Sequence, residues 1–231
     1  MVQIRATADT TKIRAKKRAM LHAASRAFRA KGFHDASMRD IAAALGMTVG
    51  NLYYYFESKR HLLAFCQDDT LTRLLESVDH AAAAKKHGFP ADQRLWLLIV
   101  GHVVCLNEAV PGSLAHLELE QLPARARRPL IERRDRYERR LRAVVTEGIA
   151  EGRFRRVDPK VAVLAILGGL NWTVRWFRPD GRLSARALGE QIAEQFVRGL
   201  LAEGVSFEAP LIEIPRRNGS VANGATEEDD A

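Results

Sequence analysis

The sequence lacks the features that mark several large protein classes. Its 231 residues hold two cysteines, Cys66 and Cys105, too few for a disulfide framework and in keeping with a reducing compartment. The longest nearly uncharged stretch, Val161 to Val174, falls short of the roughly 18 apolar residues that a membrane-spanning helix needs. The N-terminus opens polar and basic without an apolar segment, so no secretory signal is read there and a cytoplasmic location is expected. Catalytic signatures are missing as well: there is no HExxH, no phosphate-binding P-loop, no Gly-x-Ser-x-Gly and no cysteine–histidine cluster with zinc spacing. His102 and Cys105 lie three apart on a predicted helix without a third ligand, so no metal, cofactor or catalytic residue is assigned. Sustained period-two alternation between hairpin turns is also absent, which leaves an all-α fold.

What is present is charge, and it sits in one place. The chain carries 36 Lys+Arg against 28 Asp+Glu, a formal net charge of +8. Residues 1–61 contain twelve basic and four acidic side chains, so the whole excess lies in the first quarter and the rest is neutral. A basic head on a neutral body suits an anionic polymer, because neutralised phosphates release counterions and drive binding. A solubilising basic extension is the alternative that composition leaves open.

Helical punctuation is clear along the chain. Residues 1–11 show no apolar periodicity and read as a mobile basic arm. From Lys12, residues Ile13, Met20, Leu21, Ala24, Ala27 and Phe28 recur at three- and four-residue steps, and Gly32 is a good helix stop. Ser37 with Asp40 three positions on forms a capping-box pattern for a second helix ended by Gly46. Met38, Ile41 and Leu45 give that helix its buried face, and Ala42 and Ala43 are small enough for a close crossing. Thr48 caps a third short helix with Val49 and Leu52 inside. Two short helices joined by a tight glycine-containing turn make a helix-turn-helix. Ser58 then caps a long helix from Lys59 towards Ala84, broken at His87–Pro90. Further helices are expected through Leu95–Leu106, from Pro129 to Ile149, from the Asp158-Pro159 start to Trp176, and from Ser184 to near Gly204. The last residues, 204–231, lose periodicity and end in an acidic cluster, reading as a disordered acidic tail.

The stretch from Ser37 through Met38-Arg39-Asp40-Ile41, Gly46-Met47-Thr48-Val49-Gly50-Asn51-Leu52 and Tyr53-Tyr54-Tyr55-Phe56 to Lys59 resembles the DNA-binding signature of the TetR family of bacterial repressors. The match reaches back through Lys31-Gly32-Phe33 to Ala23-Ala24 and covers about residues 12–65. The resemblance implies a head over 12–61, a ligand-binding and dimerisation domain over 62–203, and double-stranded DNA as partner. It places the recognition helix at Thr48–Tyr55, entering the major groove by its N-terminal end. Val49, Gly50 and Asn51 fall at base-reading positions: Asn51 can pair with adenine, Val49 offers apolar contact, and Gly50 allows close approach. Ser37 and Thr48 cap helices whose N-termini can meet phosphates. By the same resemblance Tyr53 and Tyr55 lie on the phosphate side and Tyr54 towards bases or sugar, with core packing the alternative for Tyr55. Lys59 matches the family's phosphate-binding lysine, with a solvated lysine as alternative. The arm before Ile13 could follow the DNA backbone or a minor groove, or simply solubilise.

The resemblance also implies a homodimer through the last two helices. Leu188, Ile192, Phe196 and Leu200 form a stripe there, Gly168-Gly169 permits close contact, and a helix apolar on all sides over 161–177 must be covered on all of them. Trp96, His102, Cys105, Leu106, Leu117, Asn171, Trp172 and Trp176 are candidate effector-pocket residues, each of which ordinary packing would also explain. Asn171, an amide in an apolar helix, needs a partner, either ligand or dimer mate. The segment Asn171–Gly181 is similar to one in TetR-type regulators of fatty-acid, sterol and aromatic-acid breakdown, several of which respond to acyl-CoA thioesters. That likeness implies Arg175 and Arg178 for CoA phosphates, with Trp172 and Trp176 beside the acyl chain. A repressor of efflux pumps sensing lipophilic cations is the rival, for which Glu118 and Glu120 would be the carboxylates. The arginine-rich run 125–142 reads mainly as a solvated helix with the acid-first pairs Glu132–Arg136, Asp135–Arg139 and Glu138–Arg142, leaving Arg125, Arg127 and Arg128 as possible phosphate partners.

Overall fold

In the computed structural model the protein is described over residues 3–109 and 119–210, with the backbone alone described at 3–15, 18 and 109. Eight α-helices follow one another: α1 (Gln3–Asp35), α2 (Met38–Ala44), α3 (Val49–Tyr55), α4 (Lys59–Lys86), α5 (Ala91–Val104), α6 (Ala124–Ala150), α7 (Pro159–Trp176) and α8 (Ala185–Leu200). A π-helical turn, Cys105–Ala109, continues α5, and a short 3-10 turn, Leu119–Gln121, precedes α6. Strands are absent among the described residues, which carry one isolated bridge between Phe154 and Leu201.

The capping residues act where the sequence places them. Asp40 N–H donates to the Ser37 hydroxyl at 3.1 Å while Ser37 N–H donates back to the Asp40 carboxylate at 2.9 Å, closing the capping box of α2. Thr48, Ser58, Asp158 and Ser184 cap α3, α4, α7 and α8 by accepting backbone N–H groups of the first turn, without the reciprocal bond. Gly32 and Gly46 take positive φ of 78° and 62°, the left-handed region where a Cβ is disfavoured.

Four expectations are corrected. The helix expected from Lys12 already runs from Gln3, so the backbone of residues 3–11 is helical; no Gly or Pro interrupts the chain before Gly32, and a helix once nucleated needs no apolar face to propagate. Pro129 lies inside α6, whose cap is Pro123, because in the second turn proline's missing N–H removes one hydrogen bond without ending the helix. The chain stays docked beyond Gly204: Phe207 is buried in the core, and Arg153 and Gln93 donate to the carbonyls of Ser206 and Glu208 at 2.9 and 3.1 Å. The rest of the acidic tail, 211–231, lies outside the described residues. Finally, Ala42 is buried at the α1–α2–α3 crossing whereas Ala43 faces solvent.

Two apolar cores form. The head core joins Met20, Leu21 and Phe28 of α1, Ile41 of α2 and Leu52 of α3 to Leu62, Leu63, Cys66 and Leu71 of α4, so the division expected between 61 and 62 falls inside one continuous helix. Leu122 and Leu130, before and within α6, complete it. The second core surrounds α5, which packs against α4, α6, α7 and α8. A Cβ added at Gly189 of α8 would lie 3.2 Å from the Cα and 3.3 Å from the carbonyl oxygen of Val100, so α8 approaches α5 backbone to backbone. Gly189→Ala is therefore expected to destabilise the chain by about 1–3 kcal/mol through overpacking, read as a lower midpoint in chemical denaturation; an unchanged midpoint would show that the two helices part freely.

Candidate nucleic-acid interface and sensor core

α3 rests on the head core through buried Leu52 and half-buried Val49 and Tyr55, and turns Gly50, Asn51, Tyr53 and Tyr54 outward. Tyr54 is 84% exposed and Tyr53 46%. At about 100° per residue three consecutive tyrosines must diverge, and Tyr55 is the one drawn inward, with the Lys16 ammonium 5.0 Å from its ring centroid. The Thr48 hydroxyl accepts Asn51 N–H at 3.2 Å, which seats the helix start and leaves the Asn51 side chain exposed at its tip. Val49 keeps only part of its side chain for contact, because the rest packs on the head core. Ser37 is exposed with its hydroxyl engaged by Asp40 at 2.7 Å. The Ser37 hydrogen bond, and then Lys31, hold the Asp40 carboxyl well below the usual carboxylate range.

Lys59 does not project as a phosphate ligand. Its ammonium donates to the carbonyls of Phe33, His34 and Ala36 at 2.6, 2.9 and 2.8 Å and stands 4.5 Å from the Phe33 ring centroid. All three N–H groups of an ammonium are thereby used on the orphan carbonyls at the end of α1, where a cation is favoured. Sequence reading could not see this, because the partners lie 23 to 26 residues away.

In the sensor core the structure joins two of the candidate residues and scatters the others. His102 is buried, with Nδ1 2.9 Å from the Tyr137 hydroxyl and Nε2 3.2 Å from Asn171 Oδ1. A neutral imidazole protonated at Nε2 satisfies both contacts, donating to Asn171 and accepting from Tyr137. Burial pushes the His102 pKa down to about 4, against a smaller opposing effect of the Asn171 hydrogen bond; burial likewise pushes Tyr137 upward. The partner of Asn171 is thus inside its own chain. Cys105, pushed up to about 12 by burial, is an inert core thiol beside the Thr70 carbonyl. Leu106 packs with Val174 and Trp96 lies in the main core. Trp172 and Trp176 are instead 58% and 50% exposed, with the Arg175 guanidinium 5.8 Å from the Trp172 ring centroid, and Arg178 is exposed in the turn after α7. Leu117 and Glu118 lie outside the described residues, and Glu120 is a surface residue paired with Arg127 at 2.5 Å.

Polar residues of this core that the sequence reading passed over are Tyr137, Gln67, Asn107 and Thr173. Asn107, on the π-turn, donates at 2.9 Å to both the Val103 carbonyl and the Thr173 hydroxyl. Its Oδ1 and the Nε2 of buried Gln67 have no hydrogen-bond partner among the described residues, a costly state in an apolar interior. Tyr137 had a signal: it continues the Leu130–Leu141–Val145 stripe through an otherwise arginine-rich helix. The arginine run is also rearranged. Glu138–Arg142 pairs at 3.6 Å, but Glu132 takes Arg128, and Arg133 and Arg140 cross to Asp68 and Asp79 on α4. Of the possible phosphate partners, Arg127 and Arg128 are thus bound to carboxylates. Val161 and Leu164 of α7 are exposed, and Ile192 and Phe196 of α8 are half-buried. Leu188 and Leu200 of the expected stripe turn inward, and Gly169 meets Phe196 while Gly168 is open.

Comparison with known proteins finds relatives of the same helical fold. Residues 20–65 match the family profile described as bacterial regulatory proteins, tetR family, and residues 88–200 that described as tetracyclin repressor-like, C-terminal domain. The TetR family transcriptional regulator PfmR from Thermus thermophilus is 32% identical, with a TM-score of 0.70 over 79% of this chain and 99% of that one. The HTH-type transcriptional repressor KstR2 of Mycobacterium tuberculosis is 28% identical over 192 residues, 80% of this chain and 93% of the relative. AibR, solved in complex with isovaleryl coenzyme A and operator DNA, is 27% identical with a TM-score of 0.66, over 80% of this chain and 97% of that one.

Two outcomes follow from the local geometry. Since the folded His102 pKa lies below its ordinary value of 6.5, the unfolded chain takes up the proton first. Stability is therefore full above pH 6.5 and falls as the pH drops towards 4, by about 2 kcal/mol between pH 7 and pH 5. Denaturation curves of the wild type and of His102→Gln at both pH values should differ by that slope, and equal slopes would mean His102 is not buried neutral. Lys59→Met should lower the stability of the DNA-free protein by about 1–2 kcal/mol, read as a drop in Tm; a side chain reserved for phosphate would leave Tm unchanged.

Proposed function

Because this chain belongs to the TetR family of transcriptional regulators, we propose that it is a dimeric repressor that binds a palindromic operator and is released by a small-molecule effector, an acyl-CoA thioester from lipid or aromatic-acid breakdown. The observation that carries the DNA half is the outward face of α3. Gly50, Asn51, Tyr53 and Tyr54 are exposed on a helix whose opposite face is held by Leu52 in the head core. A helix presented this way enters the major groove by its N-terminal end. Asn51 at its tip reads adenine, Val49 makes a partial apolar contact, and Gly50 allows close approach. The N–H groups behind Ser37 and Thr48, with Tyr53 and Tyr54, meet sugar and phosphate. Tyr55 and Lys59 act indirectly, by fixing α1 and α3 within the head.

Dimerisation is supported by Val161 and Leu164, large apolar residues left exposed on α7, and by Ile192 and Phe196, only half-buried on α8, since exposed apolar surface marks an association site. A twofold dimer through α7 and α8 repeats the recognition helix in two half-sites, hence the palindrome. The effector class is supported by the isovaleryl coenzyme A bound to AibR and by the exposed Trp172, Arg175, Trp176 and Arg178 on α7 and the turn after it. Aromatic faces and guanidinium groups at one helix end suit an adenine and its phosphates, and the apolar core beyond suits an acyl chain. Release needs only a difference in effector affinity between the DNA-competent and incompetent states, typically about 1–3 kcal/mol.

The test is binding of the dimer to duplexes selected from a random library. A palindrome should emerge, and Asn51→Ala should relax the selection at one base pair per half-site, by about 1–3 kcal/mol of discrimination. Acyl-CoA thioesters, screened beside lipophilic cations, should raise Tm and weaken operator binding. Equal affinity for all duplexes would end the repressor reading. A response to cations alone would replace the effector class.

A further inference from the structure

α1 and the end of α7 are far apart in sequence and are joined by the side chain of Arg29. Arg29, half-buried on α1, donates through Nη2 to the carbonyl oxygen of Phe177, 148 residues away. Phe177 is the C-cap of α7, and its own N–H closes the last turn on the Thr173 carbonyl at 2.8 Å. Arg29 thus binds the helix end where the macrodipole concentrates negative charge. We infer that Arg29 is a latch by which the end of α7 sets the position of the DNA-binding head, a positioning residue for DNA recognition; this rests on the repressor reading above.

Three observations support the latch. First, its far end is wired into the sensor core. Within the last two turns of α7, Asn171 accepts from His102 of α5 and Thr173 accepts from Asn107 of the π-turn. A displacement of either partner moves the helix end that carries the Phe177 carbonyl, because a helix of this length shifts as a unit. Second, the contact is directional, unlike the apolar packing of Leu122 and Leu130 on the head core, which tolerates sliding. Third, the latch is poised to open. Nη1 of Arg29 is buried without a hydrogen-bond partner among the described residues, and burial together with the nearby Arg178 disfavours the guanidinium charge while Asp180 favours it. A charged group with one donor unsatisfied holds its site by a narrow margin, as an element that switches between two states requires.

The test uses the full chain and a duplex that the wild-type protein selects from a random library. Hydrogen exchange is followed over residues 173–181 with and without that duplex. In the wild type, duplex binding should slow exchange there at least threefold, although the segment is remote in sequence from the DNA-contacting helix. Arg29→Gln should abolish this change while the protein still melts cooperatively. Arg29→Lys, which can still donate to the Phe177 carbonyl, should restore at least half of it. Asp180→Asn should reduce the change and Arg178→Gln enlarge it, an opposition that simple loss of packing cannot produce and that remains readable should Arg29→Gln fold poorly. Unchanged exchange at 173–181 in the wild type, or a full change in Arg29→Gln, would overturn the latch and leave the repressor reading standing. Failure to select any duplex would overturn the repressor reading and the latch with it.

Discussion

The constraint on which the rest depends is that one helix belongs to both cores. α4 is 28 residues long, about 42 Å at 1.5 Å per residue. Its first half supplies Leu62, Leu63, Cys66 and Leu71 to the head. Its second half supplies Leu74, Val78 and Ala81 to the core around α5. Leu71 of the head core and Leu74 of the second lie within one helical turn of each other, so no linker intervenes. A change in how α4 lies against α5 or α6 is therefore also a change in where α3 points. Arg133 and Arg140 reinforce the connection by holding α6 to α4 through Asp68 and Asp79.

The sensor core is apolar in the main, and its polar inclusions are grouped. At one end, Arg94, only 2% exposed, binds Glu147 and Glu151 of α6 and the cap after it at 2.9 and 3.2 Å, while fully buried Asp92 takes Arg153. Such buried pairs add little net stability but fix geometry strongly, since losing one partner strands a charge. At the other end the polar groups are neutral: His102 with Tyr137 and Asn171, and Asn107 with Thr173. The charged end clamps α5 to α6, and Lys85 of α4 joins it by pairing with Glu147 at 2.9 Å. The neutral end ties α5 to α6 through Tyr137, and α5 and the π-turn to α7 through Asn171 and Thr173.

Much of this was legible in advance because helix punctuation is local. Ser37 with Asp40, Thr48, Ser58, Asp158-Pro159 and Ser184 each act on backbone groups two or three positions away, and each helix they announce is found. The exposed face of α3 follows from Leu52 being the position that must be buried. Where the reading erred, the error was one of context. Pro129 has the same sequence signature whether it opens a helix or sits in its second turn, and residues 3–11 carry no sign that helical bonds run through them.

The sequence by itself determined the all-α architecture, the basic head, the short third helix and the ends of most other helices, since these depend on composition and on contacts within one turn. Tertiary structure alone decided that Lys59 caps α1, that Asn171 answers His102 across 69 residues, and that Arg29 reaches Phe177 across 148. A lysine, an amide or an arginine can donate to many partners. Which one it finds depends on the packing of distant helices, and no periodicity encodes that choice.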